Sequence, residues 1–164
     1  MATFQLPVGP EGMRPDSPCF FEPYSIKDTA AALDPTVLIY KNSGTKDGAN
    51  GSFIVPQNYV GTAKLIVLWN VNATSGDAIF DLSYLARTDA EDMGAAATDT
   101  TDTVTTTTDG TAFNLNTSEM TLTAGDFAAG DIVLFELFRD TANASDTLAA
   151  DLIVHKVIFE YSDA

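Results

Sequence analysis

The stretch that most constrains this chain runs from Ser118 to Tyr161, where three β-strands follow one another with turn chemistry between them. Asp131 to Arg139, DIVLFELFR, is rich in β-branched and aromatic residues and is set off by Gly130 from the Gly-Asp turns before it. Leu152 to Tyr161, LIVHKVIFEY, is a second run of similar length, and at about 3.3 Å per residue each spans roughly 30 Å. Alternation places Val133, Phe135 and Leu137 on one face of the first run, and Ile132, Leu134, Glu136 and Phe138 on the other. Glu136 is the only polar residue in either set. An antiparallel sheet with one wet side alternates apolar with polar, so apolar residues on both sides imply an outer face that is also covered, by another chain or by the N-terminal segment.

The rest of the chain repeats the pattern. Thr36–Lys41, Ser52–Pro56, Ala63–Val71, Ala78–Arg87 and Glu119–Thr123 read as strands, and NSGTKDGANGS between the first two reads as a loop. Trp69 shares parity with Leu65, Val67 and Val71, and Tyr84 with Phe80 and Leu82. The threonine tract from Thr98 to Thr108 suits a polar edge strand. No helical periodicity appears beyond possible single turns at Asp28–Leu33 and within Thr88–Thr98. About eight or nine strands without a long helix predict an all-β, antiparallel two-sheet sandwich of Greek-key or jelly-roll type.

All but one of the seven prolines lie before residue 36. That argues for an extended arm over 1–35, with the sandwich domain over 36–164. The arm still carries Phe4, Leu6, Val8, Phe20, Phe21 and Tyr24, each of which gains about 1.5–3 kcal/mol by full burial. It either folds over its own domain or clasps a neighbouring subunit. With Ile132, Leu134 and Phe138, these residues are the candidates for an interface.

A net charge of −15, from 23 acids against eight bases, repels phosphate backbones and anionic lipid, so nucleic acid and membrane surfaces are not expected partners. The single cysteine, Cys19, cannot form an intrachain disulfide, and the first residues lack the layout of a secretory signal, which points to synthesis in a cytoplasm. One histidine, His155, with no G-x-S-x-G elbow and no phosphate loop, predicts no catalytic site and no cofactor. Calcium has weak candidates in Asp140, Asn143 and Asp146, and in Asp47 and Asn50, where Asx-turns explain the same residues. Trp69, Tyr59 and Tyr84 could form an aromatic platform for sugars, with core packing as the competing reading.

The segments FIVPQNYVGTAKLIVLW and TLTAGDFAAGDIVLFELFRDTANASDTLAADLIVHKVIFEY resemble the jelly-roll decoration, or cement, proteins of tailed bacteriophage capsids, and related jelly rolls of phage tails and fibres. The resemblance covers roughly Ser52 to Tyr161 and carries no catalytic residues. It implies a virion structural protein, a homotrimer bound to the major capsid protein on the outer capsid surface. The alternative it leaves open is a carbohydrate-binding module of a phage tail or head fibre.

Overall fold

The computed structural model describes residues 2–9, 12–23, 36–94 and 100–163. They form two antiparallel sheets packed face to face. The first contains β1 (Thr3–Gly9), β3 (Phe20–Pro23), β4 (Thr36–Tyr40), β6 (Gly61–Val71), β9 (Asn116–Leu122) and β11 (Leu152–Ser162), in the order β3-β4-β11-β6-β9, with β1 beside β11. The second contains β2 (Arg14–Pro15), β5 (Lys46–Ile54), β7 (Asp77–Arg87), β8 (Thr100–Thr107) and β10 (Ile132–Asp140), in the order β2-β5-β10-β7-β8. Among the described residues no helix is long and apolar enough to cross a membrane.

Side-chain alternation decides what lies between the sheets. Val133, Phe135 and Leu137 of β10 face inward with Phe80, Leu82 and Tyr84 of β7, and meet Leu65, Val67 and Trp69 of β6 and Val157 and Phe159 of β11. The arm lies partly within these sheets. Thr3–Pro7 run antiparallel to Ile158–Ser162, with a register shift between Pro7 and Gly9, and Val8, Met13 and Cys19 join the core. Tyr24 and the Asp28–Leu33 turn lie outside the described residues.

One stretch departs from expectation. KDGANGS, read above as loop, belongs to β5, which starts at Lys46 rather than Ser52. Its glycines fit the strand because cross-strand aromatic rings occupy the space a side chain would need. A Cβ on Gly51 would stand 2.4 Å from the Phe135 ring, and one on Gly48 2.7 Å from the Phe138 ring.

Cys19 is buried, and burial first, then the carboxylates of Asp47 and Asp16, push its thiol up to about 12. Thiolate is therefore scarce at physiological pH. Ellman's reagent is expected to leave native protein unmodified at pH 8 and to titrate one thiol after unfolding in guanidinium; rapid reaction of the native chain would contradict this burial.

A candidate binding face on the five-stranded sheet

The two outer faces differ. On the six-stranded sheet, Val37, Ile39 and Ile66 point away from the main core and are nonetheless buried. On the five-stranded sheet, Ile54, Ile132 and Leu134 are 63, 40 and 38% exposed. The apolar surplus seen in the sequence is thus covered on one side and presented on the other.

Register arranges the presented face in rows. Ile54, Ile132 and Arg87 form the first, Ser52, Leu134 and Leu85 the second, Asn50, Glu136 and Ser83 the third, and Gly48, Phe138 and Asp81 the fourth. Leu134 and Leu85 of the second row and all of the third line an open hollow of about 300 Å³, with the leucines on one side and Asn50, Ser83 and Glu136 on the other. Apolar surface beside a few convergent hydrogen-bonding groups is the usual composition of a ligand site. At the polar end, the Lys46 ammonium sits 4.7 Å from the centre of the Phe138 ring and 2.6 Å from Asp81 Oδ2, and Thr103 donates to the other Asp81 oxygen at 2.6 Å.

Glu136 is the charged centre of this face. Its carboxyl is raised above the usual range by partial burial first, then by the charge of Asp16 and a hydrogen bond shared with it; Lys46 opposes these effects. Asp16 also accepts from Asn50 Nδ2 at 3.3 Å. A carboxyl whose folded pKa lies above its unfolded one contributes stability below the unfolded pKa and loses it as pH rises through the folded value. Above its folded pKa the charged Glu136 carboxylate is therefore a liability. Glu136→Gln is expected to raise the melting temperature at pH 7 and to flatten its decline between about pH 4 and 7; an unchanged pH profile would show that neither burial nor Asp16 raises the Glu136 pKa.

The other candidates from the sequence fall elsewhere. Trp69, Tyr84 and Tyr59 do not form a sugar platform: all three are buried, with Trp69 Nε1 donating to Ser118 Oγ at 2.9 Å, Tyr84 OH to Asp126 Oδ2 at 2.8 Å and Tyr59 OH to the Ala124 carbonyl at 2.8 Å. For Trp69 and Tyr84, strand parity with aliphatic core residues is the cause. Asp146 is the buried counter-ion of Arg139, while Asp140 and Asn143 accept backbone N–H groups within their own turn. Asp47 is buried and accepts from Ser43 and Thr45. Among the described residues, no group of three or more His, Cys, Asp or Glu is placed to hold a metal ion. His155 sits at the β11 bulge, half-buried, and burial lowers its pKa.

Of the interface candidates, Val8 is buried and Leu6 and Phe21 pack against the core. Phe20 is half-buried beneath the Lys41 ammonium, 4.9 Å from its ring centre, and Phe4 is exposed yet stacked on Tyr161 at 5.5 Å. Among the described candidates, Ile132, Leu134 and Phe138 lie on the presented face. Ser83 and Leu85 were not singled out by sequence, and Asn50 only as a calcium candidate, since only strand register brings them beside Glu136 and Leu134.

No family model and no curated protein matches this sequence. Solved structures do match in fold. An arabinose-bound α-L-arabinofuranosidase aligns with a TM-score of 0.53 at 14% identity, over 94% of this chain and 24% of that one, so the chain spans about a quarter of that enzyme's length. A family 28 carbohydrate-binding module specific for non-crystalline cellulose aligns with a TM-score of 0.50 at 13% identity, over 93% of this chain and 89% of the module. The architecture is a jelly-roll-like sandwich. A xylan-binding domain from Paenibacillus barcinonensis aligns at 0.47 with 11% identity, over 94% of this chain and 88% of that domain. Likeness at this level of identity speaks to the fold.

Proposed function

We propose that this chain is a non-catalytic binding module that works through the outer face of β5, β10 and β7, and that its ligand is an oligosaccharide. The observation that carries the reading is the hollow in which Asn50, Ser83 and Glu136 converge beside Leu85 and Leu134. The sandwich shared with a cellulose-specific module supports this ligand class. Sugar rings would lie on Leu134 and Leu85, with hydroxyls met by the polar row. The test is a glycan array followed by calorimetric titration of retained oligosaccharides. Asn50→Ala and Leu134→Asp should each weaken binding at least about tenfold, or about 1.4 kcal/mol, with the fold intact by circular dichroism. An array that retains nothing sinks the reading.

A second reading is favoured by one specific observation, the aliphatic end of the same face. Ile54, Ile132 and Leu134 are suited to burial against protein, and the resemblance to capsid decoration proteins implies such a partner on a phage particle. Contact alone would then stabilise the shell, several weak joints acting together. Cosedimentation with the particle, lost on Ile132→Asp and retained on Asn50→Ala, would support this reading over the first.

A further inference from the structure

We infer that β8 is a self-association edge through which two copies of this chain join their five-stranded sheets. β8 is the terminal strand of its sheet and, among the described residues, pairs only with β7. Which of its backbone groups point outward follows from β7. Ile79 and Asp77 stand opposite Thr105 and Thr107, and their own N–H groups are directed to Asp146 Oδ2 and Thr147 Oγ1. These are therefore non-hydrogen-bonded pairs of the β7–β8 ladder, and Thr105 and Thr107 present N–H and C=O groups away from β7. Thr103 has the same parity, but its N–H is taken by Asp102 Oδ1 at 3.0 Å.

An edge of this kind is a template for another strand unless it is blocked. β8 contains no proline, no lysine and one charge, at Asp102. The opposite edge is different: β2 is two residues long and ends on Pro15, and Leu6–Gly9 of β1, with Pro7, share a hollow with Ser52–Ile54 of β5. It offers no run of comparable length, so β8 cannot extend head to tail. A strand with one open edge closes by pairing with itself about a twofold axis. The register that uses the Thr105 and Thr107 N–H groups of each copy sets Thr105 opposite the second copy's Thr107. Threonine pairs are favourable across antiparallel strands, and this register leaves Asp102 beyond the overlap. The contact is twofold, whereas the resemblance implies a threefold assembly, and it does not depend on the binding face.

Sedimentation equilibrium of the full chain from about 10 µM to about 1 mM tests it. The weight-average mass should climb from 17.4 kDa toward twice that value, and do so at lower concentration in 0.5 M than in 0.05 M salt, because screening relieves repulsion between two strongly acidic chains. Thr105→Pro removes an outward N–H without touching the β7 ladder, so it should keep the wild-type melt and remain monomeric. Amide exchange at Thr105 and Thr107 in the wild type, slowing as concentration rises, gives the same answer without any variant. A chain that stays monomeric throughout, a dimer that survives Thr105→Pro, or a wild-type dimer whose Thr105 and Thr107 amides stay unprotected overturns the inference.

Discussion

Arg139→Ala should lower stability by about 3–5 kcal/mol, and the melting temperature by about 10 °C. The Arg139 side chain is fully buried, and its Nε and Nη2 donate to Asp146 Oδ2 and Oδ1 at 3.2 and 3.0 Å. Nη1 and Nη2 donate in addition to the carbonyls of Ala150 and Leu148, both at 2.6 Å. Alanine would leave the Asp146 carboxylate without its counter-charge in a low-dielectric site and two carbonyls without donors, which is a larger loss than the net worth of the pair. The double variant Arg139→Met with Asp146→Leu should recover part of the deficit, because neither charge is then stranded, although the Ala150 and Leu148 carbonyls and the Ile79 N–H still lose their partners. Thermal melts of the wild type, Arg139→Met, Asp146→Leu and the double variant decide the matter, and an additive double variant would show that the two side chains act independently.

Trp69→Ala is expected to cost about 3–5 kcal/mol by a different mechanism. The indole is fully buried, lies 6.0 Å from the Phe80 ring in an edge-on arrangement, and donates to Ser118 Oγ, which in turn donates to Thr106 Oγ1 at 2.7 Å. Truncation opens a cavity between the sheets and removes the donor to a buried hydroxyl. Denaturant unfolding should show the loss in full, while any oligosaccharide affinity of the surviving folded fraction should be unchanged. Loss of binding with unaltered stability would place the indole on a surface, against its packing here.

Much of the architecture was legible because alternation is local. The inward sets of β6, β7 and β10 follow from residue parity alone, and the threonine tract reads as an edge strand because threonine favours the pleated backbone yet has little to bury. β5 was truncated in that reading, since KDGANGS carries every mark of a loop. Its glycines become strand residues only when Phe135 and Phe138 of a strand more than 80 positions away lie over them. Asp146 illustrates the same limit. In its own segment it is one of several oxygen donors, and Arg139 turns it into a buried counter-ion.

By itself, the sequence determined that this chain is an antiparallel β-sandwich and which faces of its long strands are apolar, because period-two alternation needs only neighbouring residues. It also marked Glu136 as the one polar residue in its parity set. Tertiary structure alone decided which outer face stays open, which side chains share a row with Glu136, and which backbone groups of β8 face outward. Those are properties of register and coverage, set by strand pairing across tens of residues, and a linear pattern carries no information about which strand lies alongside which.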